Sequence, residues 1–464
     1  MENNNPTPIW QKGASEAGTT DSERYLAKLA RRAFLNFWSY SNPYTDESGG
    51  SELCDFMIVF GNDIIIFSDK HCEFPRIDNC KVAWFRWYRS AIDKSSRQLA
   101  GASAFIERFP ERIYLDSECK HPLPIPLPSS DKRRVHLVAV TRGSAEASAR
   151  YWGNGSSSSL IINTSIEGRG HEDHPFMVGW PLKKRRFVHV LDELTLDVLL
   201  RELDTVSDFV SYLVKKEEYV STKGVNFLIT GEEELLASYL THPSKDYKGF
   251  SFPPIPLDAK TIVIEEGAWR LISKTDAYSS WKKSNEISYE WDRLIEHQTS
   301  HIQGQTAEVI KKDKDSSVDM HAHEFVLRAM AEEGRAGRKI LAEAHKSILT
   351  RDFSGERLAQ TLVIPTRPSR AYVLLVLKPV PGQSYEEYRE LRRASLVGYC
   401  RASRLRIKGI EEVVGIASEQ LSSSEITQDF AFMGFENSIT QEEKEKEIFF
   451  LRASGIWKDN WECV

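Results

Sequence analysis

The sequence predicts a mixed α/β (α+β) protein on three observations. Stretches with apolar residues at helical spacing alternate with dense β-branched runs, two of those runs flank a short Gly/Asn/Asp turn, and the chain holds enough apolar residues for more than one core. With 41% hydrophobic and 28% charged residues it has the composition of a globular protein rather than a disordered one. Its 464 residues exceed what one core usually organises, so two domains are expected.

Residues 1–20 are polar and rich in Asn and are expected to form a disordered tail. Asp21-Ser22 can cap a helix in which Leu26, Leu29, Ala30, Ala33 and Phe37 recur at helical spacing and which Asn42-Pro43 ends. Residues 56–60 and 64–67 are apolar throughout, and Gly61-Asn62-Asp63 between them makes a hairpin covered on both faces. Across 84–109, Trp87, Ala91, Lys94, Gln98 and Ala102 stay near one face, which predicts a second long helix. A strand follows at 134–141. Residues 143–179 are weakly patterned around Gly153-Asn154-Gly155 and a serine run, and read as an insertion with a flexible tip. A strand at 187–191 and a helix at about 195–217 complete a first domain at 21–220.

Residues 221–464 read as a second α/β module with a recognition, regulatory or assembly role. Helices are expected at 231–240, 289–302 and 324–349, strands at 261–264, 371–377, 413–417 and 430–435, a basic helix at 385–404 and a helix at the end. A linker is placed at 303–320, centred on the polar, charged run Lys311 to Ser317.

A formal charge of -6 gives no bulk basic signal, so contact with nucleic acid would rest on local patches. The six cysteines have neither CxxC spacing nor the density of a secreted scaffold, which fits reduced thiols in a cytoplasm. No apolar run resembles a signal peptide or approaches the roughly twenty residues of a membrane span. Phosphate-binding loop, GxSxG, HExxH and dinucleotide fingerprints are missing from the sequence.

Metal-dependent phosphodiester hydrolysis needs acids to hold one or two divalent ions and a nearby cation to orient water and stabilise the pentacovalent phosphate. A hairpin that begins with an acid and ends with a lysine brings the two together. Asp55 opens the first strand here and Lys70 closes the second, and charges beside so apolar a hairpin are costly unless paired or on a metal. Any one of these charges alone would read as a solvated strand end; the ordered set is what argues for a site.

This arrangement resembles the PD-(D/E)XK, or restriction-endonuclease-like, superfamily, and the resemblance extends from Glu23 on the first helix to Gln98 on the second. It implies an N-terminal mixed sheet flanked by helices and a Mg2+ or Mn2+ ion held by Asp55 with Asp69, Glu23 or Glu52. Lys70 would position water, and Gln98 would help to order the site. The superfamily usually has an acid or glutamine two residues before the lysine, where this chain has Ser68. Strand alternation turns Asp69 away from Lys70 unless a bulge intervenes, although its carbonyl could still face a metal. Glu52 or Glu23 would then supply the missing carboxylate.

The resemblance implies a nuclease acting on DNA ahead of RNA, in bacterial anti-phage defence or DNA maintenance, and restrained as a homo-oligomer or by a partner protein. The alternatives are a nuclease-like scaffold that binds nucleic acid or protein without cleaving, and a ribonuclease. Lys132-Arg133-Arg134, residues 183–186, Arg86 and Arg89 could form a phosphate-tracking rim or a solvated face. The basic helix could hold nucleic acid or balance the acidic run at 441–447. His71, Cys72, Cys80 and Cys54, like His171 to His174 and His321 to His323, fit core or loop roles better than zinc ligation.

Overall fold

The computed structural model describes residue 25 and residues 33–153, 156–182, 186–244, 249–303, 320–420, 427–435 and 439–457. The tail at 1–20, Glu23, most of the first expected helix and residues 304–319 of the expected linker lie outside the described residues. The chain is a mixed α/β protein and divides into two compact units. One is Met1–Ser244 with Gly249–Lys282 and Thr299–Ala307; the other is Lys245–Lys248 with Lys283–Gln298 and Glu308–Val464.

The first unit opens with β1 (Ser39–Ser41), which replaces the last turn of the expected first helix, followed by the short β2 (Tyr44–Thr45) and β3 (Ser51–Glu52). The hairpin is β4 (Phe56–Phe60) and β5 (Asp63–His71), paired Phe56↔Phe67 through Phe60↔Asp63. Its buried residues include Met57, Ile58, Ile64, Ile65, Ile66 and Phe67, all at 0% exposure, so both faces are covered as the unbroken apolar runs imply.

The covering on one face is α2 (Lys94–Arg108), which follows α1 (Cys80–Tyr88) through a π turn at Arg89–Asp93. Asn79 starts α1, its side chain accepting from the Val82 backbone N–H. After β6 (Ile113–Tyr114) comes β7 (Arg134–Arg142), which runs parallel to β5 from Asp63↔Arg134 to His71↔Arg142 without a break in register.

The segment read as a flexible insertion is largely built structure: α3 (Ala145–Trp152), β8 (Ile161–Glu167) and β9 (Met177–Trp180). Its apolar residues were too dispersed to show a period, but they find partners: Ala147, Leu160, Phe176 and Val178 pack with Trp84, Trp87 and Tyr88 of α1. Those aromatics are core, with Trp84 Nε1 donating to the His171 carbonyl and Trp87 Nε1 to that of Cys72.

β10 (Val188–Asp192) pairs parallel with β7 and completes a five-stranded mixed sheet in the order β1-β4-β5-β7-β10. The single helix expected at 195–217 is two, α4 (Glu193–Glu202) and α5 (Val206–Val220), because Thr205 restarts the chain with a side-chain cap on the Asp208 N–H. On the face of this sheet opposite to α2, α5 places Phe209 against Phe67.

The division at residue 220 does not hold. β11 (Asn226–Ile229) pairs with β8, and after α6 (Glu232–Leu240), β12 (Thr261–Ile264) pairs with β11, giving a second sheet in the order β12-β11-β8-β9. The first unit therefore runs on to Lys282. Pairing between strands more than fifty residues apart left no local mark at position 220.

The second unit has its own sheet, β13 (Arg357–Val363), β14 (Arg370–Leu377), β15 (Glu412–Ser418) and β16 (Gln428–Gly434), in that order. The 22-residue helix Tyr385–Arg406 crosses over between the parallel strands β14 and β15, and Ser384 starts it with a capping box on Glu387. Leu396 and Cys400 of this helix lie on Gly415, where a Cβ would come within 2.6 Å of the Cys400 sulfur. The helix expected at 324–349 is two, Met320–Ala331 and Arg335–Thr350.

Candidate functional site

Asp55 lies one residue before β4, and extending the Phe56↔Phe67 register places it opposite Ser68. Ser68 and Lys70 share a face of β5 because side chains alternate, so Asp55 and Lys70 meet diagonally on the α2 side of the sheet. Lys70 Nζ is 3.7 Å from Asp55 Oδ2, with the Asp55 side chain 4% exposed and that of Lys70 28%. The same carboxylate oxygen accepts the Asp69 backbone N–H at 2.5 Å, and the Asp55 N–H donates to the Phe67 carbonyl. A buried carboxylate thus has a partly exposed ammonium on one side and a strand N–H on the other.

The other residues nominated from sequence divide. Asp69 faces the opposite side of the sheet, as alternation requires in an unbroken register, and its fully buried carboxylate is bound by Arg142 at 3.1 Å. Its side chain is therefore not beside Lys70. Glu52 lies on β3 in the small sheet β3-β2-β6 and accepts from Asn42 Nδ2 at 2.9 Å. Glu23 is outside the described residues. Gln98 is half-buried on α2, less than one turn beyond Ser95, whose hydroxyl accepts from Ser68 Oγ at 3.3 Å. Ser68, Ser95 and Ser96 are at 0% exposure, so the strand position that carries an acid in the resembled superfamily is sealed by hydroxyls beneath α2.

Among the described residues, Asp55, Asp69 and Glu52 do not form a group of three donor atoms within 4.8 Å of one another. The group that does is His136, His189 and Glu217. Sequence reasoning passed over these residues because His136 and His189 each sit in a strand that is otherwise apolar, and only the pairing of β7 with β10 makes them neighbours. The available signal was a single polar residue inside each of two apolar runs. Burial pushes His189 well below the usual imidazole range, with Lys216 and His136 adding to the effect. Burial raises Glu217, against a smaller opposing pull from His136.

The cysteines near the hairpin are thiols in structural positions. Burial, reinforced by Asp55 and Glu52, pushes Cys54 well above its usual value, and burial raises Cys72 and Cys80. His171 has a core role, stacked on Tyr88 at 4.6 Å and accepting the Gly179 N–H.

Of the basic groups, Arg133 donates to the carbonyls of Pro128 and Ile106 with its side chain 3% exposed, whereas Arg134 pairs with Asp63 at 2.7 Å and keeps its side chain 54% exposed. Arg86 and Arg89 are exposed on α1 and its π turn. Lys183 to Arg185 lie outside the described residues. In the second unit, Arg392 is fully buried against Asp429 and Glu419, Arg393 also reaches Asp429, and Arg401 is 3.6 Å from Glu447. The basic helix is balanced by acids of its own unit, most of them outside the acidic run at 441–447.

Comparison with protein-family models, with curated proteins and with solved structures finds no match to this chain. Among the described residues no helix is long and apolar enough to cross a membrane.

Proposed function

We propose that the first unit is a metal-dependent phosphodiesterase of the PD-(D/E)XK type acting on DNA. The observation that carries this reading is the approach of Lys70 Nζ to within 3.7 Å of the buried Asp55 carboxylate at the end of a mixed sheet. An anion held there in low dielectric favours a divalent cation over solvent, and an ammonium beside it can orient water and neutralise charge on a phosphoryl oxygen. The strand order supports it too: an antiparallel hairpin carrying both residues, followed across a helix by the parallel strand β7. Mg2+ or Mn2+ would be held by Asp55 with the Asp69 carbonyl or a carboxylate such as Glu52 or Glu23. The Asp69 carboxylate is left to Arg142.

A second reading is favoured by one observation. Ser68 is sealed against Ser95 where a ligand carboxylate is usual, which suits a scaffold that binds nucleic acid or protein without cleaving it. Calorimetric titration with Mn2+ separates the two. A live site gives saturable binding that Asp55→Ala lowers at least about tenfold; silence from both proteins selects the scaffold.

A further inference from the structure

We propose that His136, His189 and Glu217 form a binding site for a zinc-type transition-metal ion that ties β7, β10 and α5 together. The donor atoms of the three residues lie within 4.8 Å of one another. His136 is on β7 and His189 is on β10, registered against Val138, so the two imidazoles are diagonal neighbours on the face that α5 covers. Glu217 comes from the last turn of α5.

Hydrogen bonding does not account for this cluster. His189 is 1% exposed, and among the described residues neither of its ring nitrogens has a hydrogen-bond partner. His136 is 5% exposed; its Nε2 is 2.9 Å from Asp63 Oδ1, and its Nδ1 is unpartnered. Buried polar atoms are seldom left so, and three orphaned nitrogens in one place point to a missing ligand. One cation takes a lone pair from each ring, at His136 Nδ1 and at one nitrogen of His189, which a rearrangement of protons does not.

The surroundings also match those of a metal site. Asp63 lies 2.9 Å from His136 Nε2 and is itself held by Arg134 at 2.7 Å, an acceptor that favours the tautomer with its proton on Nε2 and its lone pair on Nδ1. A carboxylate behind a ligating imidazole is the usual support of such a ligand. Two imidazoles and one carboxylate suit Zn2+ with its fourth position open, whereas Mg2+ and Ca2+ prefer oxygen alone. Tetrahedral bonds of about 2.0–2.2 Å place donor atoms roughly 3.3 Å apart, so closure shortens separations of up to 4.8 Å by as much as about 1.5 Å. Glu217 can supply the part that brings its carboxylate to the imidazoles, being long, half-buried and on the wall of an open cavity of about 670 Å³. The adjacent Lys216 does not compete for Glu217, because its ammonium is buried against Glu232.

This site is distinct from the hairpin end. His136 lies five positions before Thr141, the partner of Lys70, about 16 Å along the strand and on the other face of the sheet. It rests on no part of the hydrolytic reading.

The test uses the full chain, stripped with a chelator and titrated with ZnCl2 by calorimetry, and with CoCl2 by visible absorption. One equivalent of Zn2+ should bind, Co2+ should give the ligand-field bands of a four-coordinate nitrogen and oxygen site, and a tenfold excess of Mg2+ should displace neither. His189→Phe and Glu217→Gln should each weaken Zn2+ binding at least about tenfold, while Lys70→Ala leaves it unchanged. Because Glu217 is only half-buried, Glu217→Gln keeps the test decisive if His189→Phe does not fold. A stripped wild-type chain that binds no Zn2+, or a folded Glu217→Gln that binds it as wild type does, overturns the proposal.

Discussion

Asp69 shows how a residue next to the candidate lysine can belong to a different system. Its carboxylate is buried on the α5 side of the sheet and paired with Arg142, so removing its charge leaves a largely buried guanidinium without its anion. Asp69→Asn should therefore lower unfolding stability by on the order of 3 kcal/mol in denaturant titration while leaving Mn2+ affinity unchanged. A fall in Mn2+ affinity without loss of stability would return Asp69 to the metal site. Glu233 gives a residue-scale expectation in pH. Burial pushes its carboxyl up to about 7, against hydrogen bonds from Ser157 and Ser159. A carboxyl raised by folding contributes stability that is complete below its unfolded value near 4.5 and lost as pH rises through about 7. Relative to Glu233→Gln, the wild type should lose up to about 3 kcal/mol between pH 4.5 and 8, read from unfolding midpoints of both proteins. Parallel pH curves for the two would place the raised group elsewhere.

At the scale of elements, the end of β7 depends on a glycine. Gly143 follows Arg142 with φ +96°, and a Cβ there would stand 2.3 Å from the Cys72 carbonyl oxygen, which the strand end cannot yield without moving the Lys70 region of β5. Gly143→Ala should cost more than about 1 kcal/mol and weaken whatever binds at Asp55 and Lys70; a fully stable variant would show that the turn relaxes. Elements whose signal is local were legible in the sequence. The hairpin follows from two unbroken apolar runs across Gly61-Asn62-Asp63, and β7 from a valine-rich apolar run at 134–141. What stayed hidden depends on distant partners. The break between α4 and α5 is set by a Thr205 cap inside a continuous amphipathic pattern, and β8 and β9 are strands because β11 and the α1 aromatics cover them. The same reason separates the candidate group that was legible from the one that was not. Asp55 and Lys70 are joined by a short hairpin, whereas His136, His189 and Glu217 come together across about eighty residues.

For the whole molecule, both units bury charges in internal pairs, Asp69 with Arg142 and Lys216 with Glu232 in the first. The second fixes its basic helix with internal pairs such as Arg392 with Asp429 and Glu419, and holds Asp292 between Arg335 and Arg338. Burial raises the Asp292 carboxyl, but the two guanidinium groups more than offset it and keep it below the ordinary range. Those arginines serve the fold of the second unit and are not available as a phosphate track. The first unit also keeps a partly exposed lysine beside a buried carboxylate, the pair on which the proposed hydrolytic function rests. The most direct measurement is cleavage of duplex DNA, single-stranded DNA and single-stranded RNA by the purified chain in Mg2+ or Mn2+, beside Lys70→Ala. The expected result is metal-dependent cleavage of DNA by the wild type that Lys70→Ala lowers by at least about a hundredfold. Cleavage by Lys70→Ala at the wild-type rate, or none by either protein on any substrate, would contradict it.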